Sequence, residues 1–307
     1  MRIIIIGLIV IGIVLGALCI VGVRMIAQVE TIDWRDLKPA PGANFVATKT
    51  GRVHYIDVGA GPTILLMHGS GRSIADWQEG AIERLSAHHR VIAFDHFGNG
   101  RSERNAAFTY GYDLWVNEAV ELLAALTIPH VTVIGHSVGG ALACVLAADH
   151  PELVDHVVTI GTGMTIEPQQ FLPLIPGIGE ILMANVNTFG PTYSDTHRRA
   201  LEAAYQVKGT RAAVLAYIRR QLTVDGLRLV RGTFEAVKVP VLHISGSRDI
   251  NIAPSIARAL ATRTHGTFVS IEGATHMVQI DAPGRLAEEV EKFLAEPSPK
   301  AAPASAG

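Results

Sequence analysis

The stretch 131–150, VTVIGHSVGGALACVLAADH, constrains the fold of this chain more than any other. Its first six residues are apolar or β-branched at nearly every position, the pattern of a strand buried on both faces of a mostly parallel sheet. An Ala/Leu run of helical character follows with almost no connecting loop. Between the two lies Gly135-His136-Ser137-Val138-Gly139. A strand that reverses directly into a helix needs small residues two positions either side of the corner, and Gly135 and Gly139 supply them. Such a corner lifts the Ser137 hydroxyl clear of the sheet edge.

The rest of the chain repeats the alternation. RVHYIDVG, TILLMHG, RVIAFD, HVVTIG, VPVLHISG and TFVSIEG read as further strands, and 113–126 and 138–150 as crossover helices, so the expected class is α/β with a mostly parallel central sheet flanked by helices. One interval breaks the rhythm: 77 residues separate Gly161 from Val239, too many for a structureless loop. Its apolar and aromatic content, including Phe171, Leu174, Ile181, Met183, Phe189, Tyr193, Tyr205 and Tyr217, predicts a helical insertion capping the sheet. The expected organisation is a core over 45–164 and 232–296, a cap over 165–231, a polar linker over 28–44 and a disordered Pro/Ala/Ser tail over 297–307.

Residues 1–27 form a separate unit. Ile3 to Val23 contain only Ile, Leu, Val, Gly, Ala and Cys, bracketed by Arg2 and Arg24, and as a helix they cover the roughly 30 Å hydrocarbon core of a bilayer. A cleaved signal peptide has an apolar region of only about 7–15 residues and ends in a small-x-small site. A lipoprotein site at Cys19 would have Gly or Ala where Leu18 stands. The expectation is an uncleaved single-pass membrane anchor. Arg2 on one side and Arg24, Arg35 and Lys38 on the other leave its orientation open.

With 26 basic against 28 acidic residues, a formal net charge of −2 and no basic cluster, nucleic acid is excluded as a partner. Cys19 and Cys144 lie in different units and do not suggest a bridge. The thirteen histidines are scattered without metal-ligand spacing, so no metal and no cofactor are expected.

A serine hydroxyl becomes a nucleophile at neutral pH only when a base accepts its proton and a third group orients that base. The candidates come from loops at the same sheet edge. Asp249 follows VPVLHISG, and His276 follows TFVSIEG within GATHM, giving the chain order Ser, Asp, His. Asp281 is the competing acid and reads as a helix cap. Backbone N–H groups for an oxyanion are expected from Val138, at the start of the helix, and from Ser70 in His68-Gly69-Ser70-Gly71. His136 is expected to be structural and to point away from the serine hydroxyl, and His68 to organise its loop.

These features together resemble the α/β-hydrolase superfamily, in its capped esterase, lipase and C–C hydrolase branch. The resemblance rests on HGSGRSIADW, DHFGNGRS from Asp95 to Ser102, GHSVGG, the acid at Asp249 and GATHM, in the family's order across most of 45–295. In such proteins DHFGNGRS is a structural turn shaped by Gly98 and Gly100, which gives Asp95 and Ser102 no catalytic role. A serine in place of the aspartate of epoxide hydrolases and haloalkane dehalogenases implies acyl transfer. The resemblance implies cleavage of a small-molecule carboxylic ester, lipophilic in view of the anchor and cap, through an acyl-enzyme. The alternatives are a C–C hydrolase of the meta-cleavage-product type and a low-turnover ligand-binding protein on the same fold.

Overall fold

The computed structural model describes residues 2–163, 168–187, 190–223 and 232–296. Eight strands form one sheet: β1 (Ala43–Ala47), β2 (Arg52–Val58), β3 (Thr63–Met67), β4 (Arg90–Phe94), β5 (Val131–His136), β6 (Val154–Ile160), β7 (Val241–Gly246) and β8 (Thr267–Ile271), in the order β1-β2-β4-β3-β5-β6-β7-β8. β1–β2 and β2–β4 pair antiparallel, and every other pairing is parallel. From β3 the chain steps one way to β4, then returns past β3 to β5 and continues the other way. That reversal leaves a crevice at the carboxyl ends of β3 and β5, where ligands bind in open α/β sheets.

All six residues of β5 are buried, its neighbour β3 is apolar after its first residue, and its other neighbour β6 is buried over its last four residues. Helices Tyr112–Ala125 and Val138–Asp149 pack on one face, with Trp115, Leu122 and Leu142 in the core. Trp77, Leu286, Val290 and Phe293 close the other. Full burial of each such side chain contributes about 1.5–3 kcal/mol.

The insertion between β6 and β7 is helical where described, with elements at Pro168–Leu174, Ile178–Ala184, Asp195–Tyr205 and Thr210–Gln221. Phe189, the stretch 224–231 and the tail 297–307 lie outside the described residues. The N-terminal helix runs Arg2–Val29 and is long and apolar enough to cross a membrane by length and composition.

The expectation for residues 28–44 needs correction. The segment assigned to a polar linker includes the start of β1, an antiparallel edge strand too short to be recognised by its pattern. It is also tied down rather than free. Glu30 is buried and accepts the N–H groups of Gly209 and Arg211, each at 2.7 Å. Ile32 pairs in parallel with Val207.

Buried histidines couple this fold to acid. His243 is fully enclosed between Thr159 and Thr264, 2.8 Å from each hydroxyl. Thr264 donates its own proton to Leu260, so Nε2 of His243 carries the ring proton and Nδ1 accepts from Thr159. Burial depresses the His243 pKa from 6.5 to about 4. The unfolded chain therefore binds the extra proton first, and the contribution of neutral His243, complete above pH 6.5, is lost as pH falls towards 4. Burial raises the pKa values of Glu30 and Glu118, which act in the opposite sense. A comparison with His243→Gln isolates the histidine. Between pH 7 and 4.5 the wild-type chain is expected to lose about 2 kcal/mol more than the variant in guanidinium unfolding. Equal losses would remove His243 as a source of acid sensitivity.

Candidate active site

At the end of β5 the backbone turns at Ser137 with φ 53° and ψ −115°, a conformation outside the ordinary regions for a residue with a Cβ. The turn is held by the Ser137 N–H donating to the Ile160 carbonyl of β6 at 2.7 Å, and by the Thr162 hydroxyl donating to the Ser137 carbonyl at 3.1 Å. A Cβ on Gly135 would collide with the Gly139 carbonyl, and one on Gly139 with the Met67 carbonyl of β3. Only this pair of glycines lets the strand, the turn and the loop after β3 approach so closely.

His276, on the loop after β8, brings Nδ1 to 2.8 Å from Asp249 Oδ2 on the loop after β7. The Asp249 side chain is wholly buried. Its other oxygen accepts the N–H groups of Asn251 and Ile252, both at 2.9 Å, which fixes the carboxyl plane. With Nδ1 donating to Asp249, the lone pair of His276 lies on Nε2, which makes that nitrogen the acceptor. Asp281 does not compete: it accepts the N–H and hydroxyl of Thr275 at 2.7 and 2.6 Å. It sits at the last residue of the short helix Val278–Asp281, so it ties down the loop that carries His276 rather than capping a helix start.

Ser137, His276, Ser70, Gly69, Arg72 and Asn251 share the wall of a cavity of about 140 Å³, closed over by Gly190 and Pro191 of the insertion. Two roomier hollows lie elsewhere. One, about 610 Å³, lies between the 33–35 segment and helix Thr210–Gln221. The other, about 770 Å³, is lined by Thr63, Thr132 and Glu291 at the opposite end of the sheet. Neither contains the chemistry-bearing residues. Among the described residues no hydrogen bond takes up the N–H of Ser70 or of Val138. Two free backbone donors beside a hydroxyl and an oriented imidazole can together support addition to a carbonyl.

His68 is buried, with Nδ1 donating to the Gly69 carbonyl at 2.7 Å and Nε2 accepting the His96 N–H at 3.0 Å. Both ring nitrogens are occupied in holding the loop, and burial lowers the pKa so the ring stays neutral. His136 also lines the cavity, with its ring 4.8 Å from the His276 ring. Its Nε2 donates to the His276 carbonyl at 3.1 Å. Burial holds its pKa well below the usual value, so it braces the His276 loop as a neutral ring.

Asp95 is buried and accepts from His54 Nδ1 at 2.7 Å and from the N–H groups of Ile74 and Arg101 at 2.8 Å. Burial opposes its charge, but these partners hold its carboxyl far below the usual range. A Cβ on Gly100 would strike this carboxylate. DHFGNGRS is thus a structural knot beside the cavity.

Sequence reasoning missed the clamp between core and insertion. Arg72 grips Asp76 through Nε and Nη2 at 2.9 and 2.7 Å. Asp76 also accepts from His197 Nε2 of helix Asp195–Tyr205 at 2.9 Å, while Arg72 Nη1 donates to the Pro191 carbonyl at 3.0 Å. Burial works against the charge on Asp76, yet Arg72 and His197 together hold its pKa down to about 2. The Arg72/Asp76 spacing of four was visible in the sequence. His197, over a hundred residues away, was not.

A family model described as alpha/beta hydrolase fold matches residues 62–283. A 2-hydroxymuconate semialdehyde hydrolase of Pseudomonas sp. (strain CF600) is 31% identical over 258 residues, covering 80% of this chain and 91% of its own. The enol-lactonase of Burkholderia xenovorans LB400 superimposes with a TM-score of 0.67 at 22% identity, over 82% of this chain and 100% of its own. The meta-cleavage product hydrolase CumD of Pseudomonas fluorescens IP01 gives 0.65 at 22% identity, over 82% and 97%. At that level of identity the two structures speak for the fold alone. The family match, spanning sheet, corner and insertion in one stretch, makes this chain a member of the α/β-hydrolase fold family.

Proposed function

We propose that this chain is a serine hydrolase in which Ser137 is the nucleophile, His276 the base and Asp249 the group that orients it. The observation that carries the proposal is the 2.8 Å contact between Asp249 and His276 Nδ1, with His276 and Ser137 on the wall of one cavity. His276 Nε2 removes the Ser137 proton as Oγ adds to the substrate carbonyl carbon. The negative charge on the carbonyl oxygen is taken by the N–H groups of Ser70 and Val138. The tetrahedral adduct collapses, the imidazolium gives its proton to the departing group, and an acyl-enzyme remains. Water, deprotonated by His276, adds to the acyl carbon and releases Ser137 with the carboxylic acid product.

For the bond cleaved, the similarity to a 2-hydroxymuconate semialdehyde hydrolase favours a carbon–carbon bond over the ester. A carbon leaving group departs only if its electron pair is delocalised, as in a vinylogous diketone, where conjugation spreads the charge onto a remote carbonyl. Hydrolysis of a lipophilic ester is the second reading. The long apolar helix favours it, together with Phe171 and Leu172, each 43% exposed on the insertion.

The purified chain should be offered a meta-cleavage-product dienoate beside a chain-length series of p-nitrophenyl esters. Loss of the dienoate's visible absorbance with kcat/KM of about 10⁴ M⁻¹ s⁻¹ or more supports the carbon–carbon reading. No dienoate turnover beside efficient ester hydrolysis returns the ester.

The insertion 165–231 acts as the cap of this site, and the N-terminal helix as an uncleaved anchor. Removal of a signal segment would strip away surface on which the cap packs, since Ile26 joins the cluster of Met183, Val214 and Leu215.

A further inference from the structure

The N-terminal helix packs on the cap. Gly22 lies so close to Glu180 and Ile181 that a Cβ would clash, and Gly177 lies equally close to Leu18 and Cys19. Small residues at such a crossing let two backbones meet directly. Glu30, hydrogen-bonded to Gly209 and Arg211, and Ile32, paired with Val207, extend the same attachment beyond the end of the helix.

The crossing fixes a depth. The apolar run Ile3–Val23 spans about 30 Å as a helix, the thickness of the hydrocarbon core, so it has no slack to slide outward. Leu18 then lies about 7–8 Å, and Gly22 about 1–2 Å, inside the boundary marked by Val23 and Arg24. Gly177 to Ile181, which touch those residues, are held at the same level. The same part of the cap exposes Phe171, Leu172, Ile175 and Leu182 at 43, 43, 37 and 39%. The charged group there is compensated: Glu180 accepts from Arg219 at 2.9 and 3.1 Å and from the Gly177 N–H at 2.7 Å.

Resting on the reading of the helix as an uncleaved anchor, we propose that residues 171–182 of the cap are themselves a membrane-inserted element, seated among the outer acyl chains beside the helix. The bilayer thus grips the cap, and the catalytic core hangs from it. A substrate dissolved in the lipid meets the cap before it meets the core.

The test uses the full-length chain in vesicles of phosphatidylcholine and phosphatidylglycerol whose acyl chains carry a spin label near the carbonyl end. An environment-sensitive fluorophore is attached to single cysteines in a Cys19→Ser background; Cys144 is buried, and burial pushes its thiol up to about 12. The cysteines are Leu172→Cys and Leu182→Cys in the cap, Val21→Cys in the helix and Glu288→Cys on the core. Quenching at Leu172 and Leu182 by a factor comparable with that at Val21, with none at Glu288, is the expected result. Quenching at Val21 alone overturns the proposal while the anchor stands. No quenching at Val21 removes the anchor, and the proposal with it. A blue-shifted but unquenched cap fluorophore means that a second protein copy covers the patch, which also overturns the proposal.

Discussion

Ser137→Ala is expected to lower kcat about 10⁵-fold or more, with the protein folded and its substrate affinity nearly unchanged. Residual turnover above the uncatalysed rate would come from the Ser70 and Val138 N–H groups, which the substitution leaves in place. Fold retention follows from the corner itself. Alanine keeps the Cβ and removes one oxygen, whereas the strain at φ 53° belongs to the backbone and is held by the Ile160 and Thr162 contacts. Ser137→Gly would relieve that strain, and a backbone held in so sparsely populated a region costs about 1–3 kcal/mol. Guanidinium unfolding of the two variants should therefore show Ser137→Gly as the more stable. A Ser137→Ala protein that retained even a tenth of wild-type turnover would place the nucleophile elsewhere.

Asp249→Asn carries the second large effect. The Asn251 and Ile252 N–H groups will continue to bind the remaining oxygen at that position, so the amide NH2 is forced towards His276 Nδ1. Nδ1 must then accept, the ring proton moves to Nε2, and the base can no longer take the serine proton. The expected loss is about 10³–10⁴ in kcat with KM little changed. Asp281→Asn is the matched control, because Asp281 holds Thr275 and does not contact the imidazole. Steady-state kinetics of both variants separate the two acids. Full activity in Asp249→Asn with a collapse in Asp281→Asn would reverse the assignment.

Much of this architecture can be read from local pattern. β5 and the helix after it are legible because a six-residue run that is apolar or β-branched at nearly every position and an Ala/Leu helix leave two glycines as the only way to connect them. Asp249 and His276 are legible because each follows a recognisable strand by a few residues, so the sheet brings their loops to one edge. What escapes the sequence depends on distant partners. β1 is a five-residue edge strand with one buried position, and its alternation is too short to register. Glu30 reads as an exposed linker residue until Gly209 and Arg211 are seen to surround it. The partner of His136 lies 140 residues away: the loop carrying His276 supplies the carbonyl to which its ring donates. The union of Arg72, Asp76 and His197 forms only when the cap lies down on the core.

That union also explains why the cavity is small. Its volume of about 140 Å³ is below the usual range of roughly 300–1,000 Å³ for pockets that enclose a whole ligand. Pro191 is held over it by the same arginine that lines its wall.

The central claim is that Ser137 is an activated nucleophile, and the most direct test is covalent. The folded chain should be treated with a fluorophosphonate, its intact mass measured and the adduct located by peptide mapping. One adduct per chain, on Ser137 and absent after Asp249→Asn within the same exposure time, is the result expected here. An adduct on another residue, or none on the folded protein, would contradict it.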